Sequence, residues 1–413
     1  MQKINYLNLI RIFILGIVSG LPIVLVLSSF SVWLVELDVS KTTIGLFALA
    51  TVPYSIKFLW SPFIDGLELP FLRKLLGHRK SWLLVSQIGL IASIIVLSLI
   101  DHQNYLLLSA STILVITFFS ATQDIVIDAY RIELANESEQ GIFATFVIYG
   151  YRIGMLISGA GALFLASFLS WKIVYLIMAA IVGFISVIVI TFPETKHKVD
   201  NNKISLLEWS KKYLISPFVN FSKNDNFILI LVFIVLYKFG DAFAGIMTNP
   251  FLLEIGFNKI DIASIVKTIG LGFTLIGLSI GGVIVARYNL KQSLIFCGIL
   301  QAISNLVFCI QTYFPGDKTF LMVTIGFENL SGAMGTVAFV AFISRLCNLN
   351  YTATQYALLS SLAAIGRTIF SSSAGMVADN YNWLTFFAIS SIIAIPGIMI
   401  IFFINNKILN EKP

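Results

Sequence analysis

Charged residues are scarce in this chain, since Asp, Glu, Lys and Arg together supply only 12% of its 413 residues. A soluble domain carries about 25%. Hydrophobic residues make up 58%, and the mean hydropathy is +0.91. A soluble fold of this length has no core large enough for that excess, so the composition indicates a protein embedded in a lipid bilayer.

Cysteine and histidine are also rare, which excludes several kinds of site. The three cysteines are odd in number and form no CxxC pair, which argues against a disulfide framework or a zinc site. All three histidines fall in polar stretches, and there is no HExxH motif. We therefore expect no metal and no cofactor, and a membrane-embedded enzyme is disfavoured. The net charge of +6 is small for a nucleic-acid-binding protein, so no nucleic-acid partner is expected.

Twelve apolar segments are long enough to cross a bilayer, which takes about 20 helical residues. They are predicted over 12–35, 43–63, 81–100, 105–128, 142–167, 172–192, 226–250, 260–285, 292–312, 319–344, 353–378 and 383–404. The longest polar stretch divides them six and six. We expect an all-α polytopic membrane protein with an N-terminal half (1–192), a cytoplasmic linker (193–225) and a C-terminal half (226–413).

Lys and Arg are distributed unequally between the two sides of this arrangement. With the N-terminus in the cytoplasm, the segments on that side hold 18 of the 27 basic residues, the links on the opposite side hold 4, and the spans hold 5. Basic residues accumulate on the cytoplasmic side of membrane proteins. Both termini are therefore expected in the cytoplasm.

The two halves also resemble each other. A shift of 218 residues places Leu34, Glu36, Lys41 and Ile44 on Leu252, Glu254, Lys259 and Ile262. A same-sense repeat of six plus six helices is typical of the parallel halves of a major-facilitator transporter. This arrangement favours a carrier with alternating access over a channel.

The charged residues within the spans follow a regular pattern. A charge at the bilayer centre costs at least about 2.5–3.5 kcal/mol, so it is expected to face the protein interior or a cavity. Away from their ends, spans 3, 6, 9 and 12 contain none, whereas spans 2, 4, 5, 7, 8, 10 and 11 contain all of the intramembrane charges. Every third helix is therefore expected to face lipid, while the others enclose a polar pathway.

The polar residues within the spans are the candidates for a substrate or proton pathway: Gln123, Asp124, Arg152, Lys238, Asp241, Lys267, Glu328, Asn329 and Arg367. Lys238 and Asp241 are three residues apart, on one helical face, so they can pair. A purely structural ion pair is the alternative, and Arg152 and Arg367 could instead brace the two halves. Lys57 could snorkel to the interface.

A second group lies near the expected cytoplasmic ends of the spans. Asp128 and Arg131 share a helical face and could form a gate or a structural salt bridge with Asp65, Arg79 and Lys80.

Eight segments together resemble the AmpG family of muropeptide permeases, within the major-facilitator superfamily, over nearly the whole length. They are GLP at 20–22, KFLWSPFID at 57–65, ATQDIVIDAYR at 121–131, YGYRIGMLISG at 149–159, LYKFGDAF at 236–243, KTIGLG at 267–272, FENLSGAMGT at 327–336 and CNLNYTATQYALLSSLAAIGR at 347–367.

The resemblance implies proton-driven import of N-acetylglucosaminyl-anhydro-N-acetylmuramyl sugars and peptides across the inner membrane, for cell-wall recycling. The resemblance also implies that five matched positions are functional: Asp124, Lys238, Asp241, Lys267 and Glu328. The expected partners are an anionic glycopeptide, protons and the lipid bilayer, and the expected state is a monomer. Independently, the surplus of cations within the spans suits an anionic ligand. The alternative is a major-facilitator transporter of another organic anion, such as an acyl-CoA-like or phosphorylated solute.

The charge distribution generates a topological prediction. A reporter enzyme that is active only after export should be active when fused at Lys318 and inactive when fused at Lys203 or at the C-terminus, because the basic segments are retained in the cytoplasm. Enzyme activity of each fusion in intact cells is the measurement. Export of the Lys203 fusion would overturn the orientation.

Overall fold

The computed structural model describes residues 5–195, 205–224 and 226–404, and its regular structure there is entirely helical. Residues 196–204 of the predicted linker, with Lys203, and the C-terminal residues 405–413 lie outside the described ranges.

Eleven helices of the described part are long and apolar enough to cross a membrane. They are α1 (Tyr6–Glu36), α2 (Thr42–Leu59), α3 (His78–Leu99), α4 (Leu106–Leu134), α5 (Glu137–Ala166), α6 (Trp171–Ile190), α7 (Phe227–Glu254), α8 (Ile260–Arg287), α9 (Leu290–Gln311), α10 (Lys318–Leu346) and α12 (Trp383–Ile400). The segment predicted as the eleventh span forms α11 (Thr352–Ser371) and a short helix Ala374–Asn380. Threonine, serine and glutamine make its first half more polar than the other spans.

Several of these helices change their winding partway along. Five-residue turns of wider π-helix lie at Leu25–Ser29 in α1, Ile157–Gly161 in α5 and Ile265–Ile269 in α8. Helix α7 is interrupted at Tyr237 and Lys238, between Phe227–Leu236 and Phe239–Glu254. Such irregularities redirect side chains and are frequent at functional sites.

The ends of α1 and α7 share one capping motif at the 218-residue spacing seen in the sequence. Asp38 and Gly256 both have positive φ, at 58° and 97°. Ser40 and Asn258 then begin the next helices by accepting hydrogen bonds from the N–H groups three residues later. The N–H beyond each positive-φ residue returns to a carbonyl five residues earlier, Val39 to Leu34 and Phe257 to Leu252, both at 3.1 Å. This pattern is a Schellman motif, and its recurrence supports the internal repeat.

The described chain forms two compact units. Unit 1 comprises the residues up to Asn136, Phe146–Phe218 and Cys347–Ser361, and unit 2 comprises Glu137–Thr145, Val219–Leu346 and the residues from Leu362. In unit 1, α3 packs on α4 and α6, and α2 packs on α4. In unit 2, α9 packs on α10 and α12, and α8 packs on α10. The packing of these helices therefore recurs six helices later, as a two-half major-facilitator fold requires, and the expected fold class is confirmed.

An aromatic cluster fixes the ends of α1, α3 and α6 in unit 1. The rings of Trp33 and Trp171 stack at 6.0 Å, and the ring of His102 lies 4.3 Å from that of Trp33. The Trp171 Nε1–H donates to Glu36 at 2.6 Å. Burial lowers the pKa of His102 to about 4, against the opposing effect of Asp101, so this imidazole is neutral at neutral pH.

Glycines let α1 and α5 approach closely. A Cβ at any of four positions would overlap backbone atoms of the opposite helix: Gly16, Gly20, Gly150 and Gly154. The same kind of contact joins α8 to α10, where Gly277 and Gly281 lie against the backbone at Leu330 and Met334. Small residues four positions apart are the usual means of close helix packing in membranes, since backbone approach replaces the hydrophobic effect as the source of contact energy.

Gly20→Ala should therefore destabilise the protein. The new methyl group meets the backbone of Tyr151 and forces α1 and α5 apart, at a cost of about 1–3 kcal/mol, as in overpacked cores. The measurement is the Tm of the detergent-purified protein. Gly245→Ala is the matched control, because nothing lies within 4 Å of a Cβ at that helical position. Equal Tm values for the two variants would contradict the proposed role of the contact.

Candidate functional site

The interruption in α7 directs Lys238 into the interior of unit 2. Its Nζ donates to Asp241 Oδ2 at 2.8 Å, to Gln301 Oε1 at 2.8 Å and to the Gly332 carbonyl at 3.2 Å. These three acceptors come from α7, α9 and α10 and use all three ammonium protons. The side chains of Lys238 and Asp241 remain 16% and 23% exposed, so the pair is largely but not completely buried.

Gln301 is a member of this cluster that sequence analysis missed. Helix α9 was expected to face lipid, and one of its faces does carry exposed apolar residues, among them Phe296 and Ile303. The opposite face buries Gln301, whose Nε2 also donates to the Cys297 carbonyl at 3.2 Å. The amide fits because position 335 on α10 is glycine, where a Cβ would overlap it. A glutamine near the middle of a predicted span was the available signal.

Glu328 and Asn329 lie on α10, one helical turn before the carbonyl that accepts from Lys238. The Asn329 Nδ2 donates to Glu328 Oε2 at 3.2 Å and to the Ile325 carbonyl at 2.9 Å. Thr274 of α8 donates to Asn329 Oδ1 at 3.0 Å. Glu328 is half-buried and has an amide partner rather than a salt bridge among the described residues, so it can take up or release a proton without breaking an ion pair there.

Unit 1 places a second set of polar groups around α4. Ser19 of α1 donates to Asp124 Oδ1 at 2.6 Å, and Gln123 donates to the Val18 carbonyl at 3.0 Å. One turn earlier, the Tyr54 hydroxyl of α2 donates to Ser120 at 2.9 Å. Asp124 thus accepts from one serine hydroxyl, and the hydroxyls of Tyr54 and Ser120 lie one turn earlier along α4.

One turn after Asp124, Asp128 lies between two cations. Its oxygens are 3.9 Å from Lys57 Nζ and 3.8 Å from Arg131 Nη2. The Arg131 guanidinium also lies over the ring of Tyr356 at 5.5 Å, a cation–π contact with the first part of α11. Lys57 is buried, so it does not snorkel to the surface as the sequence allowed.

Arg79, in the first turn of α3, is the centre of a buried network of hydrogen bonds and ion pairs in unit 1. Its Nη2 donates to Asp65 at 2.7 Å and to Glu133 at 2.6 Å, and its Nε donates to both oxygens of Glu133. Glu133 also accepts from Thr195 at 2.6 Å. Glu133, which sequence analysis did not single out, is thus the principal partner of Arg79. Lys80 instead donates to the Phe192 carbonyl at 2.7 Å.

Asp65 connects this network to α11. Its carboxylate accepts from the backbone N–H of Ala353 at 3.2 Å and of Thr354 at 2.8 Å, and from the Thr354 hydroxyl at 2.7 Å. A carboxylate at a helix N-terminus satisfies N–H groups that have no partner within the helix and interacts favourably with the helix dipole. Asp65 therefore caps the start of α11.

Three cations of the predicted pathway are exposed: Arg152, Lys267 and Arg367. None of them has an ion-pair partner among the residues that the structure describes. An unpaired cation facing hydrocarbon at mid-span is costly. Their exposed sides are therefore candidates for contact with water or a polar ligand.

Within the described ranges, no group of three His, Cys, Asp or Glu residues is placed to hold a metal ion.

Comparison with known proteins agrees with this architecture. The sequence profile described as Major Facilitator Superfamily matches residues 12–277. The chain is 34% identical to a Rickettsia bellii protein named AmpG 1, covering 96% of this chain and 98% of that protein. It is 37% identical to the anhydromuropeptide permease of Escherichia coli, covering 94% of this chain and 78% of that protein.

The fold also matches a crystal structure of the Major Facilitator Superfamily transporter FucP in its outward conformation. The TM-score is 0.71 at 13% identity, with 96% of this chain and 98% of that chain covered. Likeness at this identity shows the fold alone. The relatives are named as transporters and permeases, so the protein is a membrane transporter and not an enzyme. The chain belongs to the AmpG family of the Major Facilitator Superfamily.

Proposed function

We propose that this protein imports anhydromuropeptides into the cytoplasm in symport with protons. The observation that carries the proposal is the Lys238–Asp241 pair, held at 2.8 Å in the interior of a span. Three further cations, Arg152, Lys267 and Arg367, are exposed and unpaired among the described residues. Muropeptides carry several carboxylates, so this surplus of positive charge is suited to them. The name of the Escherichia coli relative supports the same class of substrate.

The polar residues of each unit, taken separately, suit one kind of chemical group that such a molecule carries. Asp124 accepts from the Ser19 hydroxyl and Gln123 precedes it on the same helix, so we assign both to the sugar hydroxyls. Lys238, Lys267 and Arg367 of unit 2 are cationic and would hold carboxylates. Arg152 adds a guanidinium to unit 1.

Coupling of substrate transport to protons follows if the substrate carboxylate and Asp241 compete for Lys238. A substrate carboxylate that binds this ammonium displaces Asp241 and leaves the Asp241 carboxylate without its cation. Glu328 lies one turn from Gly332, which also accepts from Lys238. We assign Glu328, oriented by Asn329, as the proton carrier of the cycle.

We assign Asp65, Arg79, Lys80, Asp128 and Arg131 to a gate at the cytoplasmic ends of the helices. Asp65 joins the Arg79 network to the first turn of α11, and Arg131 reaches Tyr356 of the same helix. Movement of α11 must therefore break charged hydrogen bonds, which makes the transition a switch between discrete states rather than a gradual opening. We also propose a monomer in the inner membrane with both termini cytoplasmic, from the distribution of basic residues.

A different organic anion, such as an acyl-CoA-like or phosphorylated solute, would use the same cations. The hydroxyl groups around Asp124 favour the sugar-containing ligand.

The function is tested by uptake of labelled anhydromuropeptide into vesicles that contain the purified protein. We expect accumulation above the equilibrium level only when an inward proton gradient is imposed. Unlabelled anhydromuropeptide should compete, whereas a neutral sugar should not. Equal uptake of the neutral sugar, without competition by anhydromuropeptide, would contradict the assigned substrate.

Substitutions in the same assay test the coupling residues. Lys238→Ala should reduce accumulation by roughly tenfold or more, because it leaves Asp241 and Gln301 without their cation. The Lys238→Ala variant combined with Asp241→Ala should retain more activity than Lys238→Ala alone. Glu328→Gln should preserve substrate exchange and abolish uphill accumulation.

Lys172→Ala, at the exposed start of α6, is the matched control and should behave as wild type. Surface abundance of each variant is measured in parallel. Normal accumulation by Glu328→Gln would exclude Glu328 as the proton carrier. Normal accumulation by all of the Lys238 and Asp241 variants would show that the pair is structural only.

A further inference from the structure

A helix outside the spans joins the last helix of the first half to α7. It runs through Leu206–Ser210, a wider turn at Lys211–Ile215, and Ser216–Ser222. Ser205 and Glu208 form a reciprocal capping box at its start. We refer to residues 205–223 as the linker helix.

One face of the linker helix is anchored to the ends of spanning helices. The Trp209 Nε1–H donates to the Gly66 carbonyl at 3.0 Å, and the ring of Tyr213 fills the space that a Cβ on Gly66 would need. Gln355 donates to the Pro217 carbonyl at 2.9 Å. Gly66 ends the short helix that follows α2, and Gln355 lies in the first turn of α11. Because these are ends of membrane-crossing segments, the linker helix lies at the depth of the bilayer surface.

The opposite face is apolar and exposed over the length of the helix. Its exposed apolar residues are Leu206, Leu207, Ile215, Phe218 and Val219, with 84% and 79% exposure at the first two. Lys211 and Lys223 are exposed as well, and Lys212 lies over the ring of Tyr213 at 5.4 Å. With three lysines and one glutamate, the segment 205–223 carries a net charge of +2.

We propose that the linker helix lies in the bilayer interface and binds anionic phospholipid headgroups through Lys211 and Lys223. Lys211 lies about one turn from Leu207 and from Ile215, so its aliphatic stem can follow the apolar surface while its ammonium reaches a headgroup phosphate. Leucine, isoleucine and phenylalanine on an exposed face beside basic residues are the features of a helix that lies flat in the headgroup region. The positive charge selects an anionic lipid over a zwitterionic one.

The bilayer, rather than a protein partner, is the occupant that the position supports. The anchoring contacts at Gly66 and Gln355 fix the helix beside the ends of spans that are already surrounded by lipid. The binding site is independent of the transported solute, so it does not rest on the proposed function.

Fluorescence quenching by brominated lipids tests this site in the full chain. A fluorophore is attached at Ile215→Cys, with the three native cysteines replaced by alanine, and the protein is placed in vesicles of phosphatidylcholine and phosphatidylglycerol. We expect dibromo-phosphatidylglycerol to quench several-fold more strongly than the same fraction of dibromo-phosphatidylcholine. Substituting Lys211→Gln together with Lys223→Gln should remove that difference. The matched control fluorophore at Ile303→Cys, on the exposed apolar face of α9, should be quenched equally by both lipids.

Two results would overturn the proposal. Equal quenching at Ile215→Cys by both lipids, unchanged by the lysine substitutions, would show apolar contact without headgroup binding. Absence of quenching by either lipid would show that the face lies in water or is covered by another chain, and quenching lost as the protein-to-lipid ratio rises would identify that chain as a second copy.

Discussion

The cost of placing charge within a bilayer is the constraint on which this structure depends. Each charged residue inside a span must be paired, hydrogen-bonded or exposed to water, because hydrocarbon offers none of the solvation that it loses. Lys238 meets the requirement with three acceptors, and Arg79 meets it with two carboxylates. Arg152, Lys267 and Arg367 have no carboxylate partner among the described residues. The charges that the protein solvates connect neighbouring helices, and we propose that the others are available to a ligand.

The backbone is shaped around these charges. The interruption of α7 frees Lys238 to turn inward, and the glycine at position 335 leaves room for the Gln301 amide that it contacts. Glycines also bring α1 and α5 into backbone contact, so the helices carrying Ser19 and Arg152 are held closely in register. A transport cycle needs such rigid elements. Displacement of Asp241 from Lys238 changes the state of the site only if the surrounding helices do not relax to cancel the change.

Much of this arrangement could be predicted from the sequence, for physical reasons. Hydropathy identifies the spans because each must satisfy its own backbone, and the 218-residue spacing reappears as the same capping motif after Asp38 and Gly256. The three-residue spacing of Lys238 and Asp241 indicated one helical face. Tertiary partners were harder to predict, since Gln301 lies on a helix expected to face lipid and Glu133 contacts Arg79 from 54 residues away. A helix can be apolar on one side and polar on the other, and neither composition nor span order reveals which residue meets which.

The central claim of the proposal is that a substrate anion and a proton are carried in the same direction through one site, formed by Lys238, Asp241 and Glu328. The most direct test is proton movement itself, recorded with a pH-sensitive dye when anhydromuropeptide is added to vesicles containing the protein, with no imposed gradient and the membrane potential clamped at zero. We expect proton flux in the direction of the substrate for the wild type, and substrate flux without proton flux for Glu328→Gln. Substrate entry without accompanying protons in the wild type would contradict the account.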